Sequence, residues 1–368
     1  MKFLWFTWKD KTHPLAGGAE VCAHEIASRL VRDGHEVTFI VGGYDGCLPE
    51  ELRPEGYKVI RVGTRNTVYY YAWKYYRQHL RGWADQVIDE WNAMPFFATF
   101  YVNEPVTLLV HHITGPGWLR QIGFPINVIG FLLEPFMLFS LSHMQTLTVS
   151  ESTKKELIEY GFYKDRVTIL PEGINWKAIP ELQAKNKAQP LMIFVSAFRS
   201  LKRPLDVIEA FEIAKEKIPG LMLKMAGPMD DGGTGYGARC LNKIKNSKFA
   251  SSIEYLGKVS QDTKRDLYIA ANVICVASRK EGWGLIVTEA NSQGTPAIAY
   301  NVPGLRDSVR DGVTGVLTKQ NTPEAMAAEI VSLLQNDERY ERLRTAAWNW
   351  SKEFSFENTY QAFIRKFS

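Results

Sequence analysis

At 368 residues, with 45% hydrophobic, 23% charged and 12% aromatic side chains, the chain has the composition of a folded protein, neither disordered nor fibrous. Its 44 basic and 40 acidic residues leave a formal net charge of +4, which argues against a dedicated nucleic-acid binder and still suits an anionic small molecule or an anionic membrane surface. At roughly 150 residues per domain, two domains are expected.

The chain opens with a short apolar stretch, Phe3 to Trp8, followed at once by Lys9, Asp10 and Lys11, which predicts a first β-strand over Phe3–Thr7 rather than a signal peptide. After Gly17 and Gly18, a helix is expected because Cys22, Ile26 and Leu30 recur at spacings of four; Gly34 stops it, and Glu36 to Val41 returns as a β-branched strand. Residues 68 to 83 mix tyrosine and tryptophan with Lys74, Arg77 and Arg81. Two readings are open there: an interfacial helix meeting anionic headgroups, or an aromatic helix packed in the core with surface cations. The apolar run Val106–Val110 reads as a strand ended by His111. The greasiest segment, Ile122 to Leu141, is interrupted by Pro125, Asn127, Glu134 and Pro135, so no transmembrane span is predicted.

A polar stretch over residues 181–190 precedes a second run of the same grammar: strand 191–196, helix 205–217, then strands 221–226, 253–256 and 273–277. The tail from Trp348 is helical and aromatic, and either packs on the second half or crosses back to the first. The expected division is 1–175, a linker 176–190, 191–347 and a tail 348–368, an α/β chain of two β/α halves. Cysteines 22, 47, 240 and 275 show no metal spacing and read as free thiols in a reducing, cytoplasmic compartment.

The segment Ser278 to Pro296 follows a buried strand, and its helix is expected to start near Gly284 and stop before Gly294-Thr-Pro. Glycines at a helix N-terminus suit a phosphate, because free N–H groups and the dipole point there. Glu281 in the loop and Glu289 a turn into the helix are acceptors for sugar hydroxyls. The plain alternative is a solvated Glu281, a surface Glu289 and a simple glycine turn.

This segment resembles the E-x7-E signature of the family 4 retaining glycosyltransferases. Gly294-Thr-Pro296, Val302-Pro-Gly304 and Asp311 to Gly315 stand downstream in the family's order, with Val149 to Thr153 and Ile169 to Ile174 upstream. The resemblance implies the GT-B fold, two Rossmann-like β/α/β domains facing across a cleft, with the acceptor on the first and the donor on the second. It implies that Glu289 holds the donor ribose, that Glu281 touches the transferred sugar, and that the backbone of Gly282, Trp283, Gly284 and Leu285 meets sugar hydroxyls and diphosphate. Lys202 matches the family's lysine; Ala197 stands where its arginine usually does, which makes Arg199 a candidate replacement. Gly17, Gly18 and Glu20 match its glycine-rich loop, His111 its histidine facing the donor sugar, and Val259 a stretch lining the base. Glu172, Asn175 and Trp283 depart from the usual asparagine, aspartate and phenylalanine.

The expected activity is retaining transfer from a nucleotide-diphosphate sugar to an acceptor hydroxyl on a glycan or lipid-linked precursor, at the cytoplasmic face of a membrane. Neither cofactor nor metal is expected, because no D-x-D pair is present and fixed cations serve the leaving group. His111, Lys202 and Glu281 are the expected catalytic residues. A nucleotide-sugar epimerase of the same fold and a non-catalytic nucleotide-sugar binder are the rival readings. Gly233-Thr-Gly235-Tyr-Gly237 has the wrong spacing for a dinucleotide fingerprint.

Overall fold

The computed structural model describes residues 1–92, 94–121, 123–229 and 235–367. Ile122, Gly233 and Thr234, named above, lie outside them. Two compact units emerge: Met1–Gly115 with Leu132–Gly173 and Ser355–Ser368, and Pro116–Phe131 with Ile174–Phe354.

The N-terminal unit is built on eight strands: β1 (Lys2–Phe6), β2 (Glu36–Val41), β3 (Glu50–Leu52), β4 (Lys58–Arg61), β5 (Gln86–Trp91), β6 (Val106–Val110), β7 (Gln145–Thr148) and β8 (Val167–Ile169). They lie in the order β3-β4-β2-β1-β5-β6-β7-β8, parallel throughout except for β3 against β4. A parallel sheet is covered on both faces, which is why Phe3, Leu4, Trp5 and Phe6 are all buried with no polar alternation.

Helices in chain order are α1 (Gly18–Arg32), α2 (Val68–Tyr75), α3 (Trp118–Gln121), α4 (Ile126–Leu141) and α5 (Glu151–Glu159). Helix α1 packs with Phe3, Trp5, Phe39 and Ile88 on one face of the sheet. Alternate residues face the other way: Leu4, Phe6 and Val87 meet Val68, Ala72 and Tyr76, while Trp91, Leu108 and Val110 meet Leu138 and Leu141 of α4. Helices α2 and α4 therefore share a face.

The second unit carries a fully parallel sheet in the order β11-β10-β9-β12-β13-β14, from β9 (Leu191–Val195), β10 (Met222–Ala226), β11 (Ile253–Tyr255), β12 (Val273–Val276), β13 (Ala297–Ala299) and β14 (Gly315–Leu317). Its helices are α6 (Pro204–Lys217), α7 (Tyr236–Lys245), α8 (Gln261–Ala270), α9 (Leu285–Ser292), α10 (Leu305–Ser308), α11 (Pro323–Leu334) and α12 (Asp337–Ser351). Residues 181–190 form no helix or strand.

The tail is not one helix. Helix α12 ends at Ser351, and a new N-cap at Ser355, whose hydroxyl accepts from Asn358 N, starts α13 (Phe356–Ile364). Trp348, Trp350 and Phe354 fall in the second unit, and the residues from Ser355 onward in the first. There Phe363 stacks on Trp5 at 5.7 Å, Tyr360 Oη donates to Asp33 at 2.7 Å, and Thr359 Oγ1 donates to the Pro171 carbonyl at 2.7 Å. Residues 116–131 group with the second unit, a segment that the expected border at 175 had left in the first.

Phe363 is fully buried against the face of the sheet that α1 covers. Phe363→Ala is therefore expected to cost about 3–5 kcal/mol, read as a lower urea midpoint for the N-terminal unit.

Candidate active site

In the second unit the critical loop runs from the end of β12 to α9. Gly284 caps α9 at φ +98°, and a Cβ there would lie 2.8 Å from a Leu305 methyl, so only glycine fits. Gly304, at φ +81°, leaves room for the Glu281 carbonyl, which would stand 2.3 Å from a Cβ. The Glu281 amide donates to the Pro303 carbonyl at 3.2 Å, so the loop bearing this carboxylate is fixed from both sides.

Glu281 Oε1 accepts from Lys202 Nζ at 2.5 Å and from Ser278 Oγ at 2.6 Å. Burial works against the charge of this carboxyl, but Lys202, Ser278 and the nearby Arg199 more than offset it and hold it below the usual carboxylate range. Arg199 thus stands within electrostatic reach of Glu281, two residues along from Ala197. Glu289 is 5% exposed; Lys264 Nζ reaches its two oxygens at 3.1 and 3.0 Å, and Tyr268 Oη donates to Oε2 at 3.0 Å. The alternative of a solvated Glu281 and a surface Glu289 does not hold.

Gly282 and Trp283 lie in this loop, and Leu285 opens the helix whose first-turn N–H groups lack intrahelical partners. The Trp283 ring lies 5.4 Å from Phe354 and 6.3 Å from Trp350, an aromatic cluster with Arg310 over Trp350 at 4.4 Å. Val259 is half-buried beyond β11, past Gly257, whose carbonyl accepts from Gly227 N at 2.8 Å. Among the described residues, no group of three His, Cys, Asp or Glu side chains stands close enough to share a metal ion.

In the N-terminal unit, Gly17 caps α1 in extended backbone and Gly18 begins it. A Cβ on Gly17 would meet nothing closer than Glu20 Oε2 at 3.7 Å, so the chain's own packing does not require glycine there. Glu20 folds back to accept from Gly17 N at 2.6 Å, and Lys9 Nζ stands 3.3 Å from the same carboxylate.

His111 directly follows β6, at the carboxyl end of a parallel strand, and is 5% exposed. Its Nε2 donates to Glu90 Oε1 at 3.2 Å, and its Nδ1 faces Glu172 Oε1 at 3.7 Å. Glu90 in turn accepts from Trp5 Nε1 at 2.6 Å and from Asn92 Nδ2 at 3.0 Å. Burial disfavours a charged imidazole, but Glu172 and Glu90 prevail and push its pKa up to about 10. His111 is a histidinium held between two carboxylates.

Glu90, Glu172, Ser278, Lys264 and Tyr268 had no assigned role in the sequence reading. Signals existed for some. Asp89 and Glu90 are adjacent acids inside a run that reads as a buried strand, and buried acids need partners. Lys264 and Tyr268 are spaced i, i+4 and so share a helix face.

The aromatic and cationic residues 68–83 form α2 and a following turn, with Val68, Ala72 and Tyr76 buried while Tyr70 and Tyr71 are exposed. Elements of both open readings are thus present. No helix among the described residues is long and apolar enough to cross a membrane.

Residues 16–177 match the model of Glycosyltransferase Family 4, and residues 177–350 that of Glycosyl transferases group 1. The D-inositol 3-phosphate glycosyltransferase of Nocardia farcinica is 25% identical over 348 residues, 89% of this chain and 74% of that one. The N-acetyl-alpha-D-glucosaminyl L-malate synthase of Bacillus anthracis is 25% identical over 350 residues, 90% of this chain and 88% of its own. Among solved structures, sucrose-phosphate synthase from Thermosynechococcus elongatus superposes with a TM-score of 0.80 at 18% identity, covering 100% of this chain and 98% of that one. Anabaena HepE, solved with UDP-glucose, gives 0.76 at 17% identity, covering 100% and 99%.

The charge on His111 sets a pH dependence. Because its folded pKa lies above its ordinary value of 6.5, its stabilisation is complete below about pH 6.5 and is lost as pH rises through about 10. In Glu172→Gln that loss is expected at lower pH, with the imidazole resonances of His111 titrating earlier in NMR; an unchanged titration would show that Glu172 does not hold the charge.

Proposed function

Because the chain belongs to the family 4 glycosyltransferases and its units have the GT-B fold, we propose that it transfers a sugar from a nucleotide-diphosphate donor to an acceptor hydroxyl, with retention of anomeric configuration and without a metal. The observation that carries the reading is the pair of carboxylates before and on α9, the half-buried Glu281 and the buried Glu289, each paired with a lysine.

The donor's diphosphate is assigned to the first turn of α9, where N–H groups and the dipole favour an anion. Negative charge builds on that leaving group as the glycosidic bond breaks, and fixed cations lower the barrier by being in place beforehand. Lys202 is such a cation: its ammonium has three donors, so a phosphate oxygen can be added to Glu281. Arg199 adds charge beside it. Glu281, kept ionised, accepts from hydroxyls of the transferred sugar. Glu289, oriented by Lys264 and Tyr268, accepts from the ribose.

We assign same-face attack, in which the leaving phosphate takes the acceptor proton, with Glu281 binding the sugar's hydroxyls rather than attacking its anomeric carbon. The acceptor falls to the N-terminal unit, and its class is a lipid-linked or cell-envelope glycan precursor. HepE was solved with UDP-glucose, which makes that nucleotide sugar the first donor to try.

A thermal-shift screen of nucleotide sugars, beginning with UDP-glucose, is expected to find a stabilising donor. Glu289→Ala should weaken its binding at least about tenfold, in line with loss of charge-assisted hydrogen bonds. No stabilisation by any nucleotide sugar would sink the reading.

Turnover of that donor is expected to survive chelation. Activity abolished by a chelator and restored by manganese would overturn the metal-independent mechanism.

A further inference from the structure

Helix α4 reverses the usual amphipathic order. Among its sixteen residues the one charged side chain, Glu134, is 2% exposed, its oxygens accepting from Thr114 N at 2.9 Å and Gly115 N at 2.6 Å. Leu138 and Leu141 continue that inward stripe into the core. The outward arc is apolar: Ile126, Ile129, Leu132, Leu133, Phe136 and Phe139 are all exposed, the two phenylalanines at 72% and 73%. Phe124, just before the helix, is 85% exposed. A helix facing water carries its polar residues outside, and a contiguous apolar surface of this kind marks an interaction site.

Charge indicates the occupant. Helix α2 and the turn after it lie on the same face of the sheet as α4. There Lys74, Arg77 and Arg81 are exposed beside Tyr70 and Tyr71, and residues 66–84 contain no acid. Cations interleaved with tyrosine complement anionic headgroups. The length of α4 sets the depth: sixteen residues rise about 24 Å, short of the roughly 30 Å hydrocarbon core.

We propose that α4 lies along the surface of an anionic bilayer, its apolar arc among the acyl chains and the cations of residues 74–81 at the headgroups. This deepens the acceptor assignment above but stands on the helix itself. Vesicle binding without sugar transfer would defeat the glycosyltransferase reading and leave this one intact.

The test is flotation of the full chain at low salt with phosphatidylcholine vesicles, with and without phosphatidylglycerol. Wild type is expected to float with the anionic vesicles. Phe136→Glu with Phe139→Glu, and separately Lys74→Glu with Arg77→Glu, should each cut the bound fraction about tenfold with an unchanged thermal melt. Should the first pair fail to fold, a polarity-sensitive fluorophore on Phe139→Cys, in a Cys47→Ser background, should shift to the blue when anionic vesicles are added. No flotation of wild type, flotation indifferent to the α4 pair, or no blue shift would overturn the proposal. So would a concentration-dependent dimer that the α4 pair dissolves, since a second copy would then be the cover.

Discussion

A carboxylate taken out of water is expensive unless a cation and hydrogen bonds replace the solvent, and each of the two units is organised around that cost. Glu281 has Lys202 and Ser278, Glu289 has Lys264 and Tyr268, and Glu90 has His111, Trp5 and Asn92. Each set draws on at least two separate elements. Lys202 precedes α6 while Glu281 follows β12, and Trp5 lies on β1 while Glu90 lies on β5. The polar groups that make these units chemically interesting therefore also fix how strands and helices meet. Removing one partner leaves a buried charge behind, so a loss of function at these positions must be separated from a loss of fold.

Much of this was legible in the sequence because local rules decided it. Strands β1, β2, β6, β9, β10, β11 and β12 appear as apolar runs close to their observed limits, α1 as a periodic stripe between glycines and α6 at nearly its observed bounds, while the other seven strands are not among those expected. Glu281, Gly284 and Glu289 were legible because a loop, a glycine and a helix start lie consecutively in the chain. The partners of those carboxylates were not. Lys264 meets Glu289 across 25 residues, and Trp5 meets Glu90 across 85, so only the parallel register that places β1 beside β5 reveals the second pair. The division of the tail was hidden for a related reason. Its aromatic residues look alike in sequence, and the break at 352–355 is set by the packing on either side: Trp350 against Trp283, Phe363 against Trp5.

His111 shows how context reverses an ordinary expectation. An imidazole this deeply buried would normally be neutral, because desolvation penalises its charged form. Two acids from different strands and loops reverse the sign here, and one of them, Glu172, stands where the family commonly has asparagine. Asparagine would be uncharged, leaving Glu90 as the single carboxylate beside the ring. A fixed histidinium donates from both nitrogens and cannot accept, so whatever meets this ring must offer an acceptor oxygen.

The departures from the family pattern gather around the loops that bear Glu281 and His111. In the loop after β9, Phe198 N donates to the Pro228 carbonyl, Arg199 N to Ala197 and Lys202 N to Arg199, a compact turn that brings the Arg199 charge within reach of Glu281 while residue 197 carries only a methyl. Trp283, in the place of a phenylalanine, uses its extra ring to pack against Trp350 and Phe354. The Glu289 end keeps the family's carboxylate, with a lysine and a tyrosine to orient it. Nucleotide recognition asks the same of every donor, a ribose and a diphosphate, whereas the transferred sugar varies in the hydroxyls it presents. A chain that keeps Glu289 while altering residues 172 and 283 has changed positions beside the groups assigned to the sugar and kept the one assigned to the ribose. The sugar transferred is therefore the property least safely copied from a relative at 25% identity.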